Sequence, residues 1–191
     1  MEKGRLETFS DGVIAIILTI MVLEMRAPHN SDLSALRALS PVFLSYILSF
    51  VYIGIYWNNH HHMLHTIRRV DGTILWANLH LLFWLSLVPF VTAWMGENGF
   101  ASWPVAVYGF VLLMNGVAYY ILSRALIRPD GPDSVLARAL GRDFKGKLSV
   151  AIYAVAVPLA LFARWISLFL YVVVAIIWFI PDRRIEKLPN A

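Results

Sequence analysis

Arg5-Leu6-Glu7-Thr8-Phe9-Ser10-Asp11-Gly12-Val13-Ile14-Ala15-Ile16-Ile17-Leu18-Thr19-Ile20-Met21-Val22-Leu23-Glu24 places two carboxylates, Asp11 and Glu24, at the ends of 12 uncharged residues. As an α-helix those residues rise about 18 Å, at about 1.5 Å each. The hydrocarbon core of a bilayer is about 30 Å thick. If this stretch crosses a membrane, at least one of the two carboxylates approaches hydrocarbon depth. A carboxylate there is costly unless it faces protein or water. The helix is therefore expected to be wrapped by other helices or to line an aqueous path.

Composition makes the bilayer the relevant solvent. Of 191 residues, 59% are hydrophobic and 15% charged, against about 25% charged in average soluble domains. Mean hydropathy is +0.67. Six apolar segments follow one another, at about 9–25, 41–60, 72–95, 103–122, 148–163 and 165–180. Each approaches the ~20 residues that a spanning helix needs. The last two are short and joined only by a tight turn at Ala163-Arg164. As one kinked element they are too long for a single span. The expected fold is all-α and integral to the membrane, one six-helix unit over residues 1–191.

Charge sets the orientation. With the N-terminus inside, thirteen of the 16 Lys and Arg fall on the inner side, and only Arg26, Arg37 and Arg164 fall outside. That asymmetry places both termini in the cytoplasm and the protein in the cell membrane. It also accounts for the net charge of +4 without nucleic acid as a partner. Six of the seven tryptophans, Trp57, Trp76, Trp94, Trp103, Trp165 and Trp178, lie near segment ends, as an interfacial aromatic belt requires. Ser10-Asp11 interrupts the first apolar run and no small-residue cleavage site follows it, so the first helix is expected to be retained. Residues 26–40 have room for a small surface helix capped by Ser31 or Asp32. A turn cluster at 128–133 precedes a short amphipathic helix. With no cysteine, disulfides, zinc-thiolate sites and thiol nucleophiles are excluded.

Gly12, Ile16, Thr19 and Leu23 recur at i, i+4, i+7 and i+11, one narrow helical stripe. Spacing leaves two readings open. One is a buried interface of small and polar contacts. The other is a symmetric pore, in which rings of Ile16 and Leu23 form apolar constrictions and a ring of Thr19 hydroxyls offers oxygens to a cation.

The run from Arg5 to Val13, followed by Ala15-Ile16, Thr19 and Leu23-Glu24, resembles the bacterial branch of the transmembrane-protein-175 family of potassium channels. Trp57, Asn58, His60 and His61 are similar to the family's second motif, and Asp71, Asn78, His80 and Pro89 fit its third helix. The resemblance implies a homotetramer with a pore lined by the first helix. It also implies potassium-preferring conduction of monovalent cations without the Thr-Val-Gly-Tyr-Gly filter loop, which this sequence lacks. Carried over by position, Ile16 is the narrowest ring, Thr19 the selectivity layer and Leu23 a second apolar ring. Arg5, Phe9, Ser10 and Asp11 belong to a structural signature, tied to Trp57, Asn58 or His80 by buried hydrogen bonds. Potassium is the permeant ion and no cofactor is implied.

The other constellations are weighed against plainer readings. His61 and His65 stand at i, i+4, a spacing that suits a divalent metal, yet no carboxylate joins them at helical spacing. A helix end at the cytoplasmic interface explains them without a metal, and proton sensing is a further reading. His80, inside the third segment, is expected to be a hydrogen-bonding partner of Ser10 and Asp11, with Asn78 in the same network or beside it. Ser10, Asp11 and His80 lack the strained nucleophile turn of a hydrolase, so no enzyme is expected. Glu24 forms either an acidic outer ring or an ion pair with Arg26 or Arg37. The basic stretch from Arg138 to Lys147 is a topology determinant that also suits anionic headgroups. The alternative to a channel is a small secondary transporter of cations or protons. Its inverted repeats find only Pro89 and Pro158 as counterparts here.

Overall fold

The computed structural model describes residues 2–28, 31–67, 69–129, 131, 134–140 and 143–179, and every regular element among them is helical. The basic residues Arg68, Arg142, Arg183, Arg184 and Lys187, and Ile180 at the end of the expected sixth segment, lie outside the described residues. The elements are α1 (Lys3–Leu23), α2 (Leu33–Ala38), α3 (Ser40–Thr66), α4 (Gly72–Ser86), α5 (Val88–Glu97), α6 (Ser102–Ile127), α7 (Val135–Leu140) and α8 (Phe144–Phe179). Among the described residues, five stretches are long and apolar enough to cross a membrane: α1, α3, the α4–α5 pair, α6 and α8.

The main helices overrun the apolar segments. α3 continues through the histidines to Thr66 and α6 through Arg124 to Ile127, because backbone hydrogen bonding does not stop where hydrocarbon does. Pro41 sits in the first turn of α3, where its missing N–H is no loss. The third segment is broken. Pro89 cannot donate to the carbonyl four residues earlier, so the helix ends at Ser86 and restarts at Val88. Asn115 of α6 reaches the break, donating Nδ2 to the Trp84 carbonyl at 3.4 Å. The carbonyl that Pro89 itself leaves without an i−4 donor is that of Leu85, one residue further on. In the connections, Asp32 precedes α2 without a side-chain cap bond. Ser134 Oγ accepts from the N–H of Ala137 at the start of α7.

The 36 residues of α8 would measure about 54 Å if straight. They are not straight: Ala163 adopts φ −143°, ψ 63°. Beyond it Ser167 Oγ donates to the Ala156 carbonyl at 2.8 Å, and Trp178 Nε1 donates to Ser149 Oγ at 2.8 Å. The second pair is 29 positions apart, about 44 Å along an unbroken helix. The chain therefore reverses at Ala163, and α8 is two antiparallel arms packed on each other.

α6 lies at the centre, packed on α4, α5 and both arms of α8. Close approach there depends on glycine: a Cβ at Gly109 would overlap the Tyr171 hydroxyl. Tyr171 is wholly buried and donates to the Val105 carbonyl at 3.3 Å. Its carbonyl accepts from Tyr52 at 2.5 Å, and Tyr52 in turn accepts from Tyr153 at 3.0 Å. Ser49, Thr92 and Tyr108 form a second buried hydroxyl cluster joining α3, α5 and α6.

Candidate functional site

α1 has two faces with opposite fates. Leu6, Ser10, Ile14, Ile17 and Met21 are buried against the rest of the protein. They repeat at i, i+4, i+8, i+11 and i+15, one side of a helix. Gly12, Ile16, Thr19 and Leu23 follow the same repeat displaced by two residues, about 200° around the axis, and all four are exposed on the single chain. Ile16 is 58% and Leu23 77% accessible, so the packing of one chain leaves this stripe largely uncovered.

The buried side is tied down by a hydrogen-bond chain whose directions can be deduced. Ser10 Oγ donates to the Leu6 carbonyl at 2.9 Å and so accepts from Asn78 Nδ2, also at 2.9 Å. The amide oxygen of Asn78 then faces His60 Nε2 at 2.7 Å. An amide oxygen only accepts, so Nε2 carries the hydrogen. Ser10, Asn78 and His60 are all 0% exposed. One residue further along α1, Asp11 Oδ1 accepts from Trp57 Nε1 at 3.0 Å. Towards the N-terminus, Glu7 lies 3.0 Å from His61 Nδ1, and Lys3 Nζ donates to the His65 carbonyl at 2.6 Å. A lysine on the last carbonyls of α3 is favourably placed at the negative end of the helix dipole.

His80 stands apart from this network. Its Nε2 accepts from Trp84 of its own helix at 2.9 Å, and the expected bond to Ser10 or Asp11 is replaced by that of Asn78. Residues 78 and 80 point about 200° apart on a helix, so when Asn78 faces α1 its neighbour two positions on faces away. Asn58, Arg5 and Phe9 are exposed and also lie outside the buried chain. The partnership of His60 with Asn78 had one available signal. Ile74, Asn78, Leu81 and Leu85 form a continuous buried stripe on α4, and an amide on such a stripe requires a partner. The rings of His61 and His65 stack at 6.0 Å and 22°. Among the described residues no three His, Asp or Glu side chains are grouped to hold a metal ion.

The exposed stripe carries no formal charge. Thr19 Oγ1 donates to the Ile16 carbonyl of its own helix at 2.9 Å, so its lone pairs are presented outward. At the far end of α1, Glu24 and Arg26 flank an open groove of about 710 Å³ between α1 and α5, with Glu97 on the opposite rim and Phe90 and Trp94 in its wall. The arrangement is an uncharged stripe with one oxygen layer, with Glu24 just beyond one end, on a helix whose other side is anchored by polar bonds.

The profile of the family described as "Endosomal/lysosomal potassium channel TMEM175" matches residues 5–89. A potassium channel of Chryseobacterium sp. (strain P1-3) is 52% identical over 98% of this chain and 97% of its own. One of Streptomyces collinus is 33% identical over 85% and 88%. The crystal structure of a lysosomal potassium-selective channel TMEM175 homolog from Chamaesiphon minutus superposes with a TM-score of 0.85 at 29% identity, covering 95% of this chain and 98% of that one. With both sequence and fold matched across nearly its whole length, the chain belongs to the TMEM175 family of potassium channels.

Proposed function

We propose that four copies of the chain form a potassium-preferring cation channel in the cell membrane, with α1 of each copy facing a central axis. The observation that carries this reading is the exposed Gly12-Ile16-Thr19-Leu23 stripe, opposite the face that α1 buries. Repeated by symmetry, Ile16 is the narrowest ring, Leu23 a second apolar ring, and Thr19 a layer of oxygens for a partly dehydrated ion. Glu24 concentrates cations at the outer mouth. Each copy contributes six spans, because α8 supplies two arms, and both termini are cytoplasmic, as the basic connections require. The relatives named as potassium channels support the choice of ion.

The test is the purified protein in planar bilayers under opposed potassium and sodium gradients. The expected result is a current that reverses near the potassium equilibrium potential and needs no co-transported ion. Reversal at zero, or flux coupled to a second ion, overturns the proposal. A native mass of about four times 21.7 kDa is expected for the assembly, and a monomeric mass of the active species refutes it.

A further inference from the structure

We propose that a slot between α3, α6 and α8 binds an anionic phospholipid of the cytoplasmic leaflet, an assignment that rests on the membrane orientation given above. The rings of Tyr52, Tyr56, Tyr119, Tyr120, Tyr153 and Trp178 wall the slot. No residue of α1, α4 or α5 lines it, so it is separate from the exposed stripe of α1. Its surface is mainly carbon, and about 30 Å³ is free inside it. That is room for roughly two water-sized groups, in walls too apolar to hold water well. A short stretch of acyl chain fits; a headgroup does not.

The rim supplies the charge. Arg124, one helical turn beyond Tyr120 towards the inner end of α6, holds its guanidinium 5.0 Å above the Tyr120 ring and is exposed. Lys147 is exposed near the start of α8, next to the slot residue Gly146. Asp143 is the one carboxylate among the described residues lining the slot, and it is occupied as the cap of α8, accepting from the Gly146 N–H at 3.2 Å. A basic rim over an aromatic, carbon-walled slot is complementary to a phosphate attached to an acyl chain. A zwitterionic lipid offers the same chain without the net charge, so the site discriminates between the two.

The experiment uses the full assembled protein, delipidated and exchanged with an equimolar mixture of palmitoyl-oleoyl phosphatidylglycerol and the matching phosphatidylcholine, with retained lipid read by native mass spectrometry. Phosphatidylglycerol should be retained several-fold over phosphatidylcholine. Arg124→Gln should lower that retention about fivefold, the effect of one basic contact near an anionic surface. Gly116→Leu projects into the slot and should abolish the preference. A Cβ at Gly116 meets only Val150, at 3.5 Å, so Gly116→Ala serves as the folded control. Arg164→Gln, at the α8 reversal, should change nothing. Equal retention of the two lipids, or equal losses from Arg124→Gln and Arg164→Gln, overturns the proposal. So does undiminished retention in a folded Gly116→Leu protein. Lipid retention is read without ion flux, so a protein that binds the lipid but passes no potassium refutes the channel and leaves the lipid site standing.

Discussion

Replacing Asn78 by Ala cuts the chain from Ser10 to His60 at both links. The 2.7 Å bond to His60 and the 2.9 Å bond to Ser10 are lost, at a residue with no exposed surface. The consequences are unequal. Ser10 keeps its donor bond to the Leu6 carbonyl and loses only an incoming N–H. His60 Nε2–H, whose hydrogen is fixed by the direction of the chain, becomes a buried donor without an acceptor. An orphaned buried donor costs about 1–3 kcal/mol, and a polar contact between membrane helices averages about 0.6 kcal/mol. Asn78→Ala should therefore cost about 2–3 kcal/mol. His80→Ala removes one bond on its own helix, from a half-buried position, and should cost about 1 kcal/mol. Reversible unfolding in mixed micelles, followed by tryptophan fluorescence, measures both. A Ser10→Ala/Asn78→Ala cycle should show coupling of about 0.5 kcal/mol or more. If His80→Ala is as damaging as Asn78→Ala, or if the cycle is additive, the deduced network does not anchor α1.

Thr19→Ala removes the one oxygen layer of the exposed stripe. The potassium-to-sodium permeability ratio should fall about fivefold, equivalent to roughly 1 kcal/mol for a lost ligand contact, and an unchanged reversal potential refutes that role. Ile16→Asn should wet the proposed Ile16 ring and raise the leak at rest; currents equal to wild type would mean the constriction lies elsewhere. Gly109→Val forces a branched side chain into the space of the Tyr171 hydroxyl. It should cost about 3 kcal/mol or prevent folding, visible as loss of a monodisperse peak in size-exclusion chromatography.

Much of this architecture was legible beforehand because it depends on quantities summed over many residues. Apolar runs of near-spanning length survive any single local exception. The tight turn at Ala163-Arg164 was forced by arithmetic, since two adjacent runs exceed one span. What was not legible depends on rotation about a helix axis. The choice of Asn78 over His80 turns on which way α4 faces, and two residues are enough to reverse the answer. The break before Pro89 was also missed, since proline marks a lost hydrogen bond without saying whether the helix bends or stops. His60 stands in the run His60-His61-His62, yet its burial separates it from the half-exposed His61.

Among the described residues, every side-chain hydrogen bond or ion pair from α1 to another helix originates between Lys3 and Asp11. Beyond that point the buried side chains of α1, Ile14, Ile17 and Met21, are apolar. Mechanically, α1 is a reed clamped at one end. Taking Glu7 as the middle of the clamp, Ile16 lies about 14 Å and Leu23 about 24 Å along the axis. A swing of about 5° would carry the first roughly 1 Å and the second roughly 2 Å, by the same rise per residue. Compliance thus grows along the reed, and its free tip at Leu23 travels about twice as far as the Ile16 level for the same swing.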